Sequence, residues 1–173
     1  DVQVKMLAHD FAFGSAINAD KIAGNIAYNA VYEDKIVNLD GKGHGFNWVV
    51  FENDFKWPAW EQEWLVTRSE LVKAVGWIEN QNLHLRGHTL VWPGNNNLPS
   101  DVASNINNLS FVKGRIDSHI EEILTWPGIG GVAKEWDVLN ETVTNTDLEN
   151  AFSNQAGYPT GREIFAEIFE KTR

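Results

Sequence analysis

The sequence predicts an α/β fold: a parallel sheet with crossover helices, built from four βα units, half the complement of a (β/α)8 TIM barrel. Three observations predict it. Apolar, strand-like runs alternate with segments of helical period. The units recur at roughly 40-residue spacing, which leaves room for a crossover helix between parallel strands. Each strand-like run also ends in a cluster of polar side chains, as expected of a barrel that keeps its chemistry at the C-terminal rim.

The elements follow in order. Residues 11–16 (FAFGSA) read as the first strand. A ragged helix over 22–39 follows, closed by the glycine-rich turn at 41–45. Residues 46–51 (FNWVVF) form a continuous apolar strand. The strongest helix spans 60–81, where Trp64, Leu71, Val75 and Ile78 recur at helical spacing. Residues 83–91 (LHLRGHTLV) make the third strand, and 95–104 a polar loop. A helix over 110–125 takes Ser110 as its N-cap and stops at Trp126-Pro127-Gly128. The fourth strand covers 132–140, a loop 145–160, and a fourth helix opens at 161. All 173 residues read as one unit, half of a barrel domain, with no linker or second domain expected among them.

Composition narrows the function. A net charge of -10 argues against nucleic acid and anionic membranes as partners, since both require basic surface. No run reaches the ~18 apolar residues of a membrane helix. With no cysteine, thiol catalysis and cysteine-held metal are excluded. The chain starts at Asp1 and carries no signal peptide, which points to a processed or trimmed product. Eight tryptophans are a high count; some are core, and the rest suit stacking on sugar rings.

The polar clusters at the strand ends carry the functional signal. The second strand ends in Glu52-Asn53, then Lys56-Trp57; the third gives His88, then Trp92; the fourth ends in Asn140-Glu141. Taken singly, each reads as a satisfied polar residue in a loop. Parallel strands share one rim, however, so the set converges. A carboxylate, amides, an imidazole, an ammonium and indoles in one cleft suit a polyhydroxylated ligand. No cofactor or metal is expected. His84 and His88 lie on one strand face about 13 Å apart, too far to share an ion. The 41–45 glycine run precedes a strand rather than opening a helix, the reverse of a phosphate loop. Glu61, Glu63, Glu70, Glu121 and Glu122 read as solvated helix faces.

The segments Glu52-Asn53-Asp54-Phe55-Lys56-Trp57, Arg86-Gly87-His88-Thr89-Leu90-Val91-Trp92 and Trp136-Asp137-Val138-Leu139-Asn140-Glu141 resemble, in order, the signatures of family-ten glycoside hydrolases, the endo-β-1,4-xylanases. Phe13-Gly14-Ser15-Ala16 resembles the family's first strand. The resemblance implies retaining hydrolysis of internal bonds in xylan by a secreted, periplasmic or cell-surface enzyme of polysaccharide degradation. It implies that Glu141 is the acid/base and that Asn140 holds the sugar 2-hydroxyl. His88 and Trp92 would line the subsite of the reacting sugar, and Glu52, Asn53 and Lys56 would bind the next sugars on the non-reducing side. Family members often carry a His where this chain has Pro93. The family's nucleophilic Glu lies at the end of strand seven, beyond residue 173.

A retaining glycosidase needs two carboxyls about 5–5.5 Å apart. The partners implied are therefore xylan or xylo-oligosaccharides and a complementary C-terminal half, from a second chain or the rest of the polypeptide. Alone, the chain is expected to be inactive, with its first and fourth strands open for pairing and with Val49, Leu85 and Val138 exposed. Two other readings stand beside it: a non-catalytic half-barrel that binds xylan oligosaccharides, and a regulatory α/β domain.

Overall fold

The computed structural model describes Val2, residues 11–24 and residues 28–173. Strands β1 (Gly14–Ile17), β2 (Trp48–Phe51), β3 (His84–Val91) and β4 (Ala133–Leu139) form one parallel sheet in chain order. Among the described residues β1 and β4 are its edges. Each connection holds a short helix and a longer one: α1 (Asp20–Ala23) and α2 (Ala30–Val37), then α3 (Trp57–Gln62) and α4 (Arg68–Asn80). A 3-10 turn (Asn95–Asn97), α5 (Ser100–Ser104) and α6 (Leu109–Thr125) come next, then α7 (Asp147–Phe152) and α8 (Glu163–Lys171).

The two faces of the sheet differ. Ile17, Val49, Phe51 and Leu85 are at most 2% exposed. They join Leu71, Val75 and Ile78 of α4 and Ile116, Ile120 and Ile123 of α6 in one core. The opposite face carries Ala16, Trp48, Val50, Arg86, His88, Glu135 and Asp137, all half-buried or exposed. This corrects an expectation: Val49 and Leu85 do not meet water, because they point into the helix layer, and Val138 is half-buried against the same core. Alternation along a strand predicts two faces; only the packing says which one the helices cover. Gly87 serves that packing, since a Cβ there would sit 2.2 Å from the Trp136 ring.

Several boundaries differ from the sequence expectation, each for a local reason. The first strand starts at Gly14, because the Asn47 side chain pairs with residues 11–13 in place of a strand. Its Oδ1 accepts from the Phe13 amide at 2.7 Å and its Nδ2 donates to the Phe11 carbonyl at 2.8 Å. The 22–39 helix is two helices; residues 25–27 of it lie outside the described residues. The second starts where Asn29 Oδ1 accepts from the Val31 and Tyr32 amides. The 60–81 helix is also two, broken where Glu63 turns left-handed at φ 50. It restarts at a capping box in which Thr67 and Glu70 satisfy each other's backbone amides. The N-cap of α6 is Asn108, not Ser110: its Oδ1 accepts from the Phe111 amide at 3.3 Å. The loops expected at 95–104 and 145–160 contain α5 and α7.

Two of the glutamates expected on solvated faces tie the helix layer together. Glu61 accepts from Trp57 Nε1 at 2.7 Å and from both terminal nitrogens of Arg115 at 2.9 and 2.7 Å. Glu122 accepts from Trp60 Nε1 at 3.2 Å and Arg68 Nη1 at 2.8 Å. Beneath them His119 stacks on Trp57 with ring centroids 4.7 Å apart. Its Nε2 must carry the proton, since it lies 3.1 Å from the Leu90 carbonyl, which can only accept. Burial pushes the His119 imidazole down to about 3.

Candidate functional site

All four strands run the same way, so their C-terminal ends share one rim. On β2 the ladder continues past the strand, with the Glu52 amide donating to the Ile17 carbonyl at 3.0 Å. Glu52 Oε2 accepts from Asn18 Nδ2 at 3.3 Å. A turn then brings the Lys56 amide 3.0 Å from the Asn53 carbonyl. It folds Lys56 back so that Nζ donates to Asn53 Oδ1 at 2.6 Å. The ammonium also lies 5.0 Å from the centroid of the Trp92 ring, close enough for a cation–π contact.

On β3, His88 Nδ1 lies 2.9 Å from Asp137 Oδ2, its register partner on β4. Asp137 Oδ1 accepts from Arg86 Nε at 3.1 Å and from Arg86 Nη2, while Arg86 Nη1 lies 3.5 Å from Glu135. Partial burial works to raise the Asp137 carboxyl, but hydrogen bonds from Arg86 and then His88 outweigh it and hold the group below its ordinary range. The carboxylate fixes the imidazole's orientation. Glu52, Lys56, Arg86, His88 and Asp137 line one cavity of about 390 Å³, with Ala16 and Val50 as its apolar floor. That volume suits a small ligand.

On β4, the Asn140 amide donates to the Val91 carbonyl at 3.1 Å, and Glu141 follows in the left-handed region at φ 51. That conformation is uncommon outside glycine. The turn is closed by Asn145, whose amide donates to the Glu141 carbonyl at 3.0 Å. Asn145 Nδ2 reaches Glu141 Oε2 at 3.2 Å, and Asn145 Oδ1 accepts from Asn97 Nδ2 at 3.0 Å. Gly94 permits this: a Cβ there would lie 2.4 Å from Asn145 Oδ1. Glu141 is thus exposed but tethered.

The structure therefore brings Glu52, Lys56 and His88 into one cavity, with Asn53 and Trp92 against Lys56. Asn140 and Glu141 sit at the neighbouring strand end and do not line that cavity: the Asn140 amide is bonded to Val91 of β3, and Glu141 is tied through Asn145 to Asn97 in the β3–α5 connection. Reading the sequence missed Arg86, Asp137 and Asn145. Counting by two along β3 and β4 would have found the first two, since 86, 88, 135 and 137 share a face; nothing local signals Asn145. Asp54 was also missed. It is buried at 5% exposure, with Oδ2 accepting from the Ala19 amide at 3.3 Å, and burial pushes its carboxyl up to about 6. His84 stacks on Trp48 at 4.9 Å. Among the described residues no cluster of three or more His, Cys, Asp or Glu could hold a metal ion, and no helix is long and apolar enough to cross a membrane.

The profile of glycosyl hydrolase family 10 matches residues 3–173. The chain belongs to glycosyl hydrolase family 10. Its four βα units are the first half of the family's (β/α)8 barrel. Native xylanase10C from Cellvibrio japonicus superposes with a TM-score of 0.64 at 22% identity, over 95% of this chain and 34% of that one. A mutant of that enzyme has been solved in complex with xylopentaose. CbXyn10B in native form superposes with a TM-score of 0.57 at 27% identity, over 76% of this chain and 36% of its own. In sequence the chain is 26% identical over 175 residues to the anti-sigma-I factor RsgI6 of Acetivibrio thermocellus, covering 99% of this chain and 20% of that protein. The chain thus spans less than half the length of these family 10 structures, and about a fifth of the sequence relative.

Proposed function

We propose that the chain carries the acid/base and the non-reducing-side sugar sites of a retaining endo-β-1,4-xylanase. The observation that carries this reading is the shared rim: Glu52, Lys56 and His88 line one cavity, and Glu141 stands at the next strand end, tethered by Asn145. Family membership and xylanase-fold neighbours support the substrate class.

In this reading Glu141 donates its proton to the leaving glycosidic oxygen, then takes one from the water that releases the sugar. Asn140 meets the 2-hydroxyl. His88 and Trp92 border the reacting sugar, with Asp137 holding the imidazole, and Glu52, Asn53 and Lys56 bind the sugars beyond. The carboxylate that forms the glycosyl-enzyme comes from the complementary half of the barrel, so this chain alone does not hydrolyse. Action on a polymer that cannot enter cells places the protein outside the cytoplasm. In the completed barrel, Glu141→Gln should cut xylan hydrolysis by about 10²–10⁴. The glycosylation step should lose less on an aryl xylobioside whose leaving group needs no proton. Equal losses on both substrates would remove Glu141 from the acid/base role.

One observation favours a second reading. The sequence relative is named an anti-sigma-I factor. The same rim could serve a regulatory protein as a sugar-binding module without turnover. Binding of xylo-oligosaccharide by the full native polypeptide with no hydrolysis of xylan would select this reading.

A further inference from the structure

The turn that carries Glu141 is clamped to the β3–α5 connection beside it. The Leu148 amide donates to the Pro93 carbonyl at 3.0 Å, and the Asn95 amide donates to Asp147 Oδ2 at 2.8 Å. A relay of side-chain amides accompanies these bonds. Asn97 Nδ2 donates to Asn145 Oδ1 at 3.0 Å, and Asn145 Nδ2 donates to Glu141 Oε2 at 3.2 Å. We propose that Asn145, oriented by Asn97, is a positioning residue that confines the transferred proton of Glu141 to Oε1. The inference rests on the acid/base reading above and deepens it.

The direction of the relay is the first argument. An amide oxygen only accepts and an amide nitrogen only donates. Asn97 occupies the oxygen of Asn145, so the nitrogen is the end turned to the carboxyl. Gly94 leaves that oxygen its room, since a Cβ there would lie 2.4 Å from it.

The chemistry of the carboxyl is the second argument. The N–H of Asn145 needs a lone pair on Oε2 whether Glu141 is protonated or ionised. With Oε2 held in that role, the acid carries its hydrogen on Oε1, which takes part in no hydrogen bond among the described residues. In the first step that proton passes to the glycosidic oxygen as its bond to the anomeric carbon breaks and the carboxylate of the complementary half bonds that carbon. In the second step Oε1 takes a proton from water as the water oxygen displaces that carboxylate. One oxygen serves both transfers, and the carboxyl need not turn between them.

The backbone supplies the third argument. Glu141 is exposed and sits at φ 51, a conformation that persists only where its surroundings hold it. The Asn145 amide and Asn145 Nδ2 both donate to the Glu141 carbonyl, at 3.0 and 3.3 Å. The same residue thus fixes the backbone and the side chain of the proton donor. Orientation of this kind acts on rate, because a small misplacement of a reacting group is expensive.

The test uses the full native polypeptide, with xylan and an aryl xylobioside whose leaving group needs no proton. Asn145→Ala should lower kcat/KM on xylan roughly tenfold to a hundredfold, the effect of losing one hydrogen bond to a charged group. Asn97→Ala, which leaves the backbone bonds of the clamp in place, should lower it about twofold to tenfold, the effect of losing a neutral one. On the aryl xylobioside kcat/KM reports the first step and should be unchanged in both variants. Its kcat should fall, because the second step still needs the base. Azide, an anion that attacks without losing a proton, should restore it. A loosened loop alone gives neither this split nor this rescue. Equal losses of kcat/KM on both substrates, or undiminished xylan hydrolysis, in the two variants would overturn the positioning role. The acid/base reading then stands as long as Glu141→Gln still loses xylan selectively. If Glu141→Gln itself loses both substrates equally, the two fall together.

Discussion

On β2, Val49 and Phe51 lie under the helices at 2% and 0% exposure, while Trp48 and Val50, each one residue away, are only half-buried on the other side. The same contrast runs across the sheet. Leu85 is inaccessible, and its neighbours Arg86 and His84 are exposed. One face is finished within this chain, covered by α4, α6 and α8. The other carries charges that hold one another, Arg86 with Glu135 and Asp137, and Asp137 with His88. The stabilising burial is therefore local to the chain, and the chemistry is what calls for more. An apolar inner face would lose roughly 1.5–3 kcal/mol for every large side chain left in water; this partly charged face loses less. The edges β1 and β4 remain the groups that a complementary half would pair.

The contrast can be broken from either side. The largest effect should come from the covered face. Phe51→Ala removes a ring packed edge-on to Phe55 at 5.2 Å and should cost about 3–5 kcal/mol in urea unfolding. Val50→Ala, on the open face of the same strand, should cost less than about 1 kcal/mol. Similar losses at the two positions would erase the distinction between the faces.

Two buried titratable groups sharpen it through pH. Asp54 is pushed up to about 6 from an ordinary carboxylate value, so the native state binds a proton that the unfolded chain releases. Its contribution is favourable at acid pH and is lost as pH rises from about 4 to 6. His119 has the opposite sign. Pushed down to about 3, it stays neutral while the unfolded chain protonates, so stability is lost as pH falls from about 6.5 towards 3. Between about 4 and 6 the two slopes oppose each other. Asp54→Asn should therefore stabilise the protein by about 1–3 kcal/mol at pH 7.5, leave it nearly unchanged near pH 4, and expose a rising stability–pH slope from His119. Chemical denaturation across pH 4–8 measures this. An unchanged slope in the variant would show that Asp54 does not titrate in the native state.

The smallest stability effect is expected on the open face. Arg86→Gln breaks a half-exposed ion pair and should change stability by about 1 kcal/mol or less. It should nevertheless let the Asp137 carboxyl rise, since the Arg86 hydrogen bond is the leading force holding it down. Carboxyl NMR titration of Asp137 would register that rise; no movement would mean His88 alone sets the site.

Much of this was legible in the residues. The strand at 46–51 and the helix period at Leu71, Val75 and Ile78 announced themselves, because burial selects apolar side chains at a fixed spacing. Thr67-Arg68-Ser69-Glu70 spells a capping box, so the break in the long helix was also readable. The rim residues Glu52, Lys56, His88 and Glu141 were visible because parallel strands force their ends together. Asn47 and Asn145 were not visible, since each works through a partner far along the chain: Phe11 and Phe13 for the first, Asn97 for the second.

By itself the sequence determined the order of strands and helices, the four-unit repeat and the polar rim, all of which follow from local periodicity and chain direction. Tertiary structure alone decided which face of the sheet the helices cover, because alternation is symmetric until something packs against one side. It also decided that Glu61 and Glu122 are structural ties, that Asp54 and His119 are held in their neutral forms near pH 5, and that Asn145 tethers Glu141. In each case the deciding quantity is the removal of water around a polar group, and that depends on neighbours brought together by folding.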